Sequence, residues 1–284
     1  MIKTVYLNGK FVPDFEAQIS IFDRGFLFGD SVYEVTTVLG GKLVAWEGHV
    51  ERFYRSLKRL KITSSCDRQT LLNLHRQLVQ LNQLKDGLIY MQVSRGVAQR
   101  DFLINEKVEP SLVLFSQEID LLEPSRLNRR LKIITVPETR WEHRDIKTTQ
   151  LLAASLMKTE ANALGVDDAW FVEDGYITEG TSSNAFIVVN SKKIITRKID
   201  RAILAGVTRF SILEVAMQLG LEIQERAFSV EEAELADEAF ITSATNFIAS
   251  VVEINGKKIG NGRIGSTTLL LRERYLTEIK KTAI

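Results

Sequence analysis

The chain has 284 residues, 45% hydrophobic and 26% charged, the balance of an ordinary soluble globular protein with room for two modest domains or one large one. Its 37 basic and 36 acidic residues leave a net charge of +1 with no basic block, which argues against a nucleic-acid surface. No apolar run approaches the ~20 residues of a membrane span and no apolar signal core opens the chain. The lone Cys66 excludes an intramolecular disulfide, so a cytoplasmic protein with an inert thiol is expected.

Residues 4–12 read as a hairpin on the favoured Asn8-Gly9 turn. Residues 16–30 read as a long loop in which Phe26 and Phe28 are packing residues. Alternation over 31–39 predicts a strand with Tyr33, Val35 and Thr37 on one face and Glu34, Thr36 and Val38 on the other. A helix over 47–60 carries His49, Arg52 and Phe53 at helical spacing. A second helix, over about 68–82, points Leu71, Leu74, Leu78 and Leu81 inward. Strand 87–95 leads into a polar loop over 96–109, long enough to be functional or mobile. Strand 111–117 closes the first half, and residues 119–128, with Pro124 and little periodicity, read as the junction. The chain is therefore divided into a domain at 1–120, a linker at 121–129 and a domain at 130–284.

In the second half, strand 131–136 precedes helix 151–164, which ends at Gly165, a favoured helix terminator. Segments 169–173, 176–178, 185–189 and 193–196 read as short antiparallel strands. A helix over 208–219, a strand over 221–226 and a short helix over 230–236 follow. Strands 238–242 and 249–254 and a helix over 266–281 end the chain. An α+β protein of two domains with a cleft between them is the natural reading.

Two charged residues invite a chemical reading. Lys147 follows Arg144-Asp145-Ile146 near the mouth of a helix, and Glu179 stands between a strand and a Gly-Thr-Ser-Ser-Asn turn. A Schiff-base lysine needs a partly desolvated site, and a pyridoxal phosphate ring needs a carboxylate at its nitrogen and a cradle for its phosphate. Position alone makes Lys147 a solvated charge and Glu179 a strand-end carboxylate. Gly206, Val207 and Thr208 open a helix, where N–H groups and the helix dipole form an anion site, although Thr208 is also an ordinary N-cap residue. His49, His75 and His143 have no partner at metal-ligand spacing, so no metal is expected.

The run Arg144-Asp145-Ile146-Lys147 with Leu151-Leu152-Ala153, followed by Thr178-Glu179-Gly180-Thr181-Ser182-Ser183-Asn184, resembles the fold-type IV pyridoxal-phosphate aminotransferases. Asp23-Arg24-Gly25-Phe26-Leu27-Phe28-Gly29-Asp30 adds to a match over nearly the whole chain, nearest to the D-amino-acid aminotransferases. The resemblance implies a two-domain fold with a small N-terminal α/β domain, a larger C-terminal mixed α/β pseudo-barrel domain and pyridoxal 5'-phosphate in the cleft. It implies Lys147 as the residue that attaches the cofactor and then acts as general base and acid, with Glu179 at the ring nitrogen. Arg52, Val207, Thr208, Ser243 and Ala244 would hold the phosphate, with Ala244 replacing a threonine common in relatives. Tyr33 and Val35 would face the substrate, and Tyr33-Glu34-Val35 separates the chain from branched-chain aminotransferases. Arg100 matches a carboxylate-binding arginine on a loop supplied by the partner of a homodimer, and Phe102 replaces a histidine. The implied reaction moves the amino group of a D-amino acid, such as D-alanine or D-glutamate, to 2-oxoglutarate or pyruvate. The alternatives are a 4-amino-4-deoxychorismate lyase, an (R)-selective amine aminotransferase or a non-catalytic cofactor- or anion-binding scaffold.

Overall fold

Ser31–Leu39 forms one continuous strand in the computed structural model, which describes residues 3–64, 66–104 and 108–284. Residues 105–107 of the predicted 96–109 loop lie outside the described residues. The chain divides into two compact units. One comprises Met1–Asp120, Ile146–Gln150 and Thr282–Ile284, and the other Leu121–Asp145 and Leu151–Lys281.

The first unit is an antiparallel sheet of β1 (Thr4–Leu7), β2 (Lys10–Pro13), β3 (Ser31–Leu39), β4 (Lys42–Leu43), β5 (Gly87–Ser94) and β6 (Ser111–Glu118), in the order β2-β1-β6-β5-β3-β4. Helices α1 (Arg24–Phe28), α2 (Trp46–Leu60) and α3 (Arg68–Leu81) complete it. Val32, Ile89, Met91, Val93, Leu112 and Leu114 turn one face of the sheet into a core shared with Val50, Phe53 and Leu57 of α2 and Leu71 and Leu78 of α3. Such β-branched and long apolar residues at every second position suit a half-buried pleat.

Three expectations change here. Residues 24–28 are helical rather than loop, because Asp23 caps them by accepting from the Gly25 N–H at 2.8 Å and Gly29, at φ 63°, terminates them. Phe26 stands 68% exposed instead of packing inward, whereas Phe28 packs against Phe102 and beneath Arg24. On α3, Leu81 is also exposed. The inward stripe runs through Leu71, His75 and Leu78, with the His75 ring against Trp46.

Residues 146–150 extend this unit as a short rail along β3. The Tyr33 N–H donates to the Lys147 carbonyl at 3.0 Å, and Val32 bridges Thr148. Lys147 therefore sits on backbone paired to β3, shortly before the helix that begins at Leu152. The chain end does the same for β4: Leu43 and Ile284 exchange N–H···O bonds of 2.8 and 3.0 Å.

The second unit is built on a curled sheet of β7 (Arg130–Pro137), β8 (Asp168–Glu173), β9 (Tyr176–Gly180), β10 (Asn184–Val189), β11 (Lys193–Thr196), β12 (Glu222–Glu225), β13 (Glu238–Ser243), β14 (Phe247–Ile254) and β15 (Lys257–Lys258). The path runs β12-β11-β10-β13-β14-β7-β8-β9 with β15 paired to β14, and β9 turns directly into β10 through residues 181–183. Helices α4 (Pro124–Leu127), α5 (Leu152–Ala163), α6 (Val207–Gln218), α7 (Val230–Glu234) and α8 (Ser266–Thr282) surround it. The segment expected as the linker, 121–129, groups with this unit. Leu121 is buried, and Arg272 of α8 donates to the Leu127 carbonyl and, at 3.3 Å, to Asn128 Oδ1.

Candidate active site

In the first unit the pairing of residues 147–149 with β3 fixes where Lys147 can point. Its backbone N–H reaches Ser56 Oγ of α2 at 3.4 Å, and its Nζ lies 4.1 Å from the centroid of the Tyr33 ring. Tyr33 and Val35 share the half-buried face of β3. Glu34 points the other way, into the α2 side, where it is fully buried. Arg52 Nε donates to Glu34 Oε1 and Arg52 Nη2 to Oε2, both at 2.7 Å, while His49 Nδ1 lies 2.8 Å from Oε2. Burial alone would raise the Glu34 carboxyl. The charge and hydrogen bonds of Arg52, with those of His49, overturn that and hold it at about 2. Burial lowers His49 in turn, with Glu34 opposing and the charges of Arg52 and Lys147 reinforcing. The two-point fork of Arg52 is thus directed at Glu34.

A second arginine cluster anchors the loop that bears Arg100. Asp30 accepts from Arg95 at 2.8 and 3.0 Å and from Arg24 Nε at 2.8 Å, while Arg24 Nη1 donates to the Asp101 carbonyl at 2.6 Å. Arg100 lies 5.7 Å from the Phe28 ring and 5.8 Å from the Phe102 ring, and Phe102 itself is largely exposed.

In the second unit Glu179 lies next to the last residue of β9, with its side chain buried. Oε1 accepts from Arg140 Nη1 at 2.8 Å, and Oε2 accepts from Asn184 Nδ2 at 3.1 Å and from the Leu204 N–H at 3.0 Å. Burial raises this carboxyl, and Arg140 and the Leu204 N–H oppose the rise without cancelling it. Arg140 is held in place by Glu138, which accepts from its Nε at 2.9 Å and its Nη2 at 2.7 Å. Glu138 also lies 3.6 Å from Arg144, which pairs with Glu173 at 2.8 Å. An alternating chain of charges therefore stands behind Glu179. Asn184 closes the Thr178–Asn184 motif, whereas Arg140 lies outside the motifs and 39 residues from Glu179, so no spacing could assign it there.

The start of α6 lies close by through Asn184, whose Nδ2 also donates to the Leu204 carbonyl at 2.9 Å. Gly206, not Thr208, is the N-cap residue, and no side chain accepts from the first-turn N–H groups of Val207 and Thr208. A Cβ on Gly206 would fall 2.1 Å from Asn184 Oδ1. Ser243 ends β13, and its Oγ accepts from the Asn246 N–H at 3.1 Å across the turn containing Ala244. Among the described residues no group of three or more His, Cys, Asp and Glu side chains could hold a metal ion.

The family model for class IV amino-transferases matches residues 31–254. The chain belongs to this family. Among curated class IV relatives it is 34% identical over 285 residues to the D-alanine aminotransferase of Staphylococcus aureus strain N315, covering 100% of both chains. It is 34% identical over 282 residues to the D-alanine aminotransferase of Bacillus licheniformis, covering 98% of this chain and 99% of the relative. Among solved structures, a T.th. branched-chain amino acid aminotransferase with pyridoxamine 5'-phosphate superposes with a TM-score of 0.91 at 25% identity, covering 99% of this chain and 95% of that one. The two-unit α+β fold is that of the fold-type IV aminotransferases.

Proposed function

We propose that this class IV aminotransferase moves the amino group of a D-amino acid to a 2-oxo acid, with pyridoxal 5'-phosphate as cofactor. The observation that carries the reading is Lys147. Its Nζ lies over Tyr33, and among the described residues of its unit no carboxylate pairs with it. A nucleophilic amine needs that freedom from a counter-ion. The other requirements of the cofactor also fit. Glu179 is a buried carboxylate that Arg140 opposes neutralising, and α6 opens with N–H groups that no capping side chain consumes.

When bound, the cofactor ring supplies the electron sink for the pair left as the substrate Cα–H bond breaks. Lys147 Nζ would hold the cofactor and would carry the proton at the substrate Cα. Glu179 would keep the ring nitrogen protonated. Val207, Thr208, Ser243, Ala244 and the charge of Arg52 would hold the phosphate. Tyr33 and Val35 face the substrate, and Arg100 takes its α-carboxylate. Phe102 removes one neutral donor from that grip, worth about 0.5–1.5 kcal/mol, so the Michaelis constant rises while the carboxylate preference stays. The D-alanine aminotransferases at 34% identity over the full chain support the D configuration.

The chain acts in the cytoplasm as a homodimer in which the partner supplies the Arg100 loop. Exposed Phe15, Ile21, Phe26, Phe102 and Leu103 on the first unit support pairing, since a monomer seldom leaves so many large apolar groups in water. The test is the purified protein loaded with pyridoxal phosphate and given D- or L-alanine with 2-oxobutanoate. D-alanine should be the donor, and Lys147→Ala should remove transfer while the protein stays folded. A preference for L-alanine, or near-parental transfer by the Lys147 variant, overturns the reading.

A further inference from the structure

Ser56 is a polar residue buried on α2, one turn beyond Arg52 and 1% exposed. A serine inside a helix ordinarily bonds back to its own preceding turn or faces water. Here its Oγ accepts from the Lys147 N–H, 91 residues away in the chain. Three elements of the first unit meet at this bond, and each pair of them is tied. The helix is tied to β3 by charge: Arg52 donates both bonds of its fork to Glu34 at 2.7 Å, and His49 lies 2.8 Å from the same carboxylate. β3 is tied to the rail by the Tyr33 N–H on the Lys147 carbonyl at 3.0 Å, by the bridge of Val32 with Thr148 and by the hydroxyl pair of Ser31 and Thr149. The rail is tied to α2 by Ser56, at 3.4 Å. The two backbone groups of Lys147 are therefore held by different elements. Its carbonyl belongs to the strand that carries Tyr33 and Val35, and its N–H to the helix that carries Arg52.

We infer that Ser56 is a positioning residue for Lys147: its hydroxyl closes this triangle and fixes the lysine backbone while the side chain moves. The inference rests on the transaminase reading above, which asks Lys147 Nζ to serve both the cofactor and the substrate Cα. A lysine ammonium rides on a flexible stem, so the span it can serve is set by where its Cα stands. A displaced Cα carries Nζ off the line along which a proton passes, and a misplacement of about 1 Å costs on the order of a hundredfold in rate. The Glu34 tie is strengthened by charge and the β3 tie by repetition along the strand. The Ser56 tie is a single neutral bond and the longest of the three. Its loss leaves the Lys147 N–H to seek water, which loosens the rail on one side without dismantling the unit.

The experiment compares the full-length, pyridoxal-phosphate-loaded parent with Ser56→Ala. The control is Ser116→Ala, which removes another buried hydroxyl of the same unit, the acceptor of Asn82 Nδ2 at 2.8 Å. Hydrogen exchange needs no turnover. In Ser56→Ala the Lys147 amide should exchange roughly tenfold faster, the upper end of what one neutral hydrogen bond is worth, while the Phe53 and Leu57 amides of α2 keep the parental rate. With D-alanine and 2-oxobutanoate, kcat should fall roughly tenfold and KM should stay within about twofold of the parent. Ser116→Ala should leave both kcat and the Lys147 amide at parental values. Parental exchange at Lys147 in Ser56→Ala overturns the inference. So does acceleration spread equally over α2, or a parental kcat beside a faster Lys147 amide. If the parent transfers no amino group while Lys147 alone exchanges faster, the transaminase reading fails and the hold of Ser56 on Lys147 stands.

Discussion

His75 Nδ1 lies 2.7 Å from the Leu71 carbonyl oxygen, while its Nε2 is buried without a hydrogen-bond partner. The proton therefore belongs on Nδ1, and a second proton would have nowhere to bond. Burial is the main cause that brings this ring down to about 4, with the Leu71 carbonyl opposing it in part. A folded-state value below the unfolded one means that stability is fully present above the ordinary 6.5 and is lost as pH falls towards about 4. Over that window the unfolded chain binds the proton and the folded chain does not. Glu34, held at about 2 instead of the ordinary 4.5, keeps its full contribution above 4.5 and loses it only as pH falls from there towards about 2. Acid weakening should therefore begin at His75 and not at the Glu34–Arg52 pair. Urea unfolding at pH 7 and pH 5 should show about 2 kcal/mol less dependence on pH in His75→Gln than in the parent. An undiminished slope would place the acid sensitivity elsewhere, with His49 the next ring to replace. Neither partner of His75 could be read in one dimension, because its position among leucines on α3 describes an inward stripe and not what the ring nitrogens meet.

The elements that carry the site differ in how openly the sequence declared them. β3 was legible because β-branched and aromatic residues dominate its length, and α2 because its apolar residues recur at helical spacing. The five residues of α1 are too few to show a period, so only its Asp23 cap and Gly29 stop could have revealed it. The rail at residues 147–149 was hidden for a different reason, since its strand partner, β3, lies more than a hundred residues upstream. The motifs drew attention to Lys147 and Glu179, while the geometry around them, including Arg140, needed three dimensions. The opening of α6 offers a sharp test. Gly206→Ala places a methyl 2.1 Å from Asn184 Oδ1, and Asn184 must then release Glu179 or Leu204. Overpacking of this kind costs about 1–3 kcal/mol. Affinity for pyridoxal phosphate, read by fluorescence quenching, should fall roughly tenfold, the worth of a charge-assisted hydrogen bond. Unchanged affinity would show that this turn does not serve the cofactor.

As a whole molecule the chain passes between its two units repeatedly: it leaves the first after Asp120, returns at Ile146–Gln150, and returns once more at Thr282–Ile284. Segments without periodic pattern made both returns unreadable from composition, because backbone pairing with distant strands holds them. Deleting residues 282–284 removes the two N–H···O bonds with Leu43 and should cost about 1–3 kcal/mol. Faster amide exchange at Leu43 would report it, and exchange at the parental rate would mean that β4 stands without its partner. The same arrangement constrains how the protein is made. A nascent chain that has just extruded its first 120 residues holds β3 with the flank later covered by residues 147–149 still bare, and β4 waits for Ile284. An uncovered strand edge is a template for pairing with another chain. During synthesis this half of the molecule is therefore the one that needs shelter, and a pause in translation between residues 120 and 146 would prolong its exposure most.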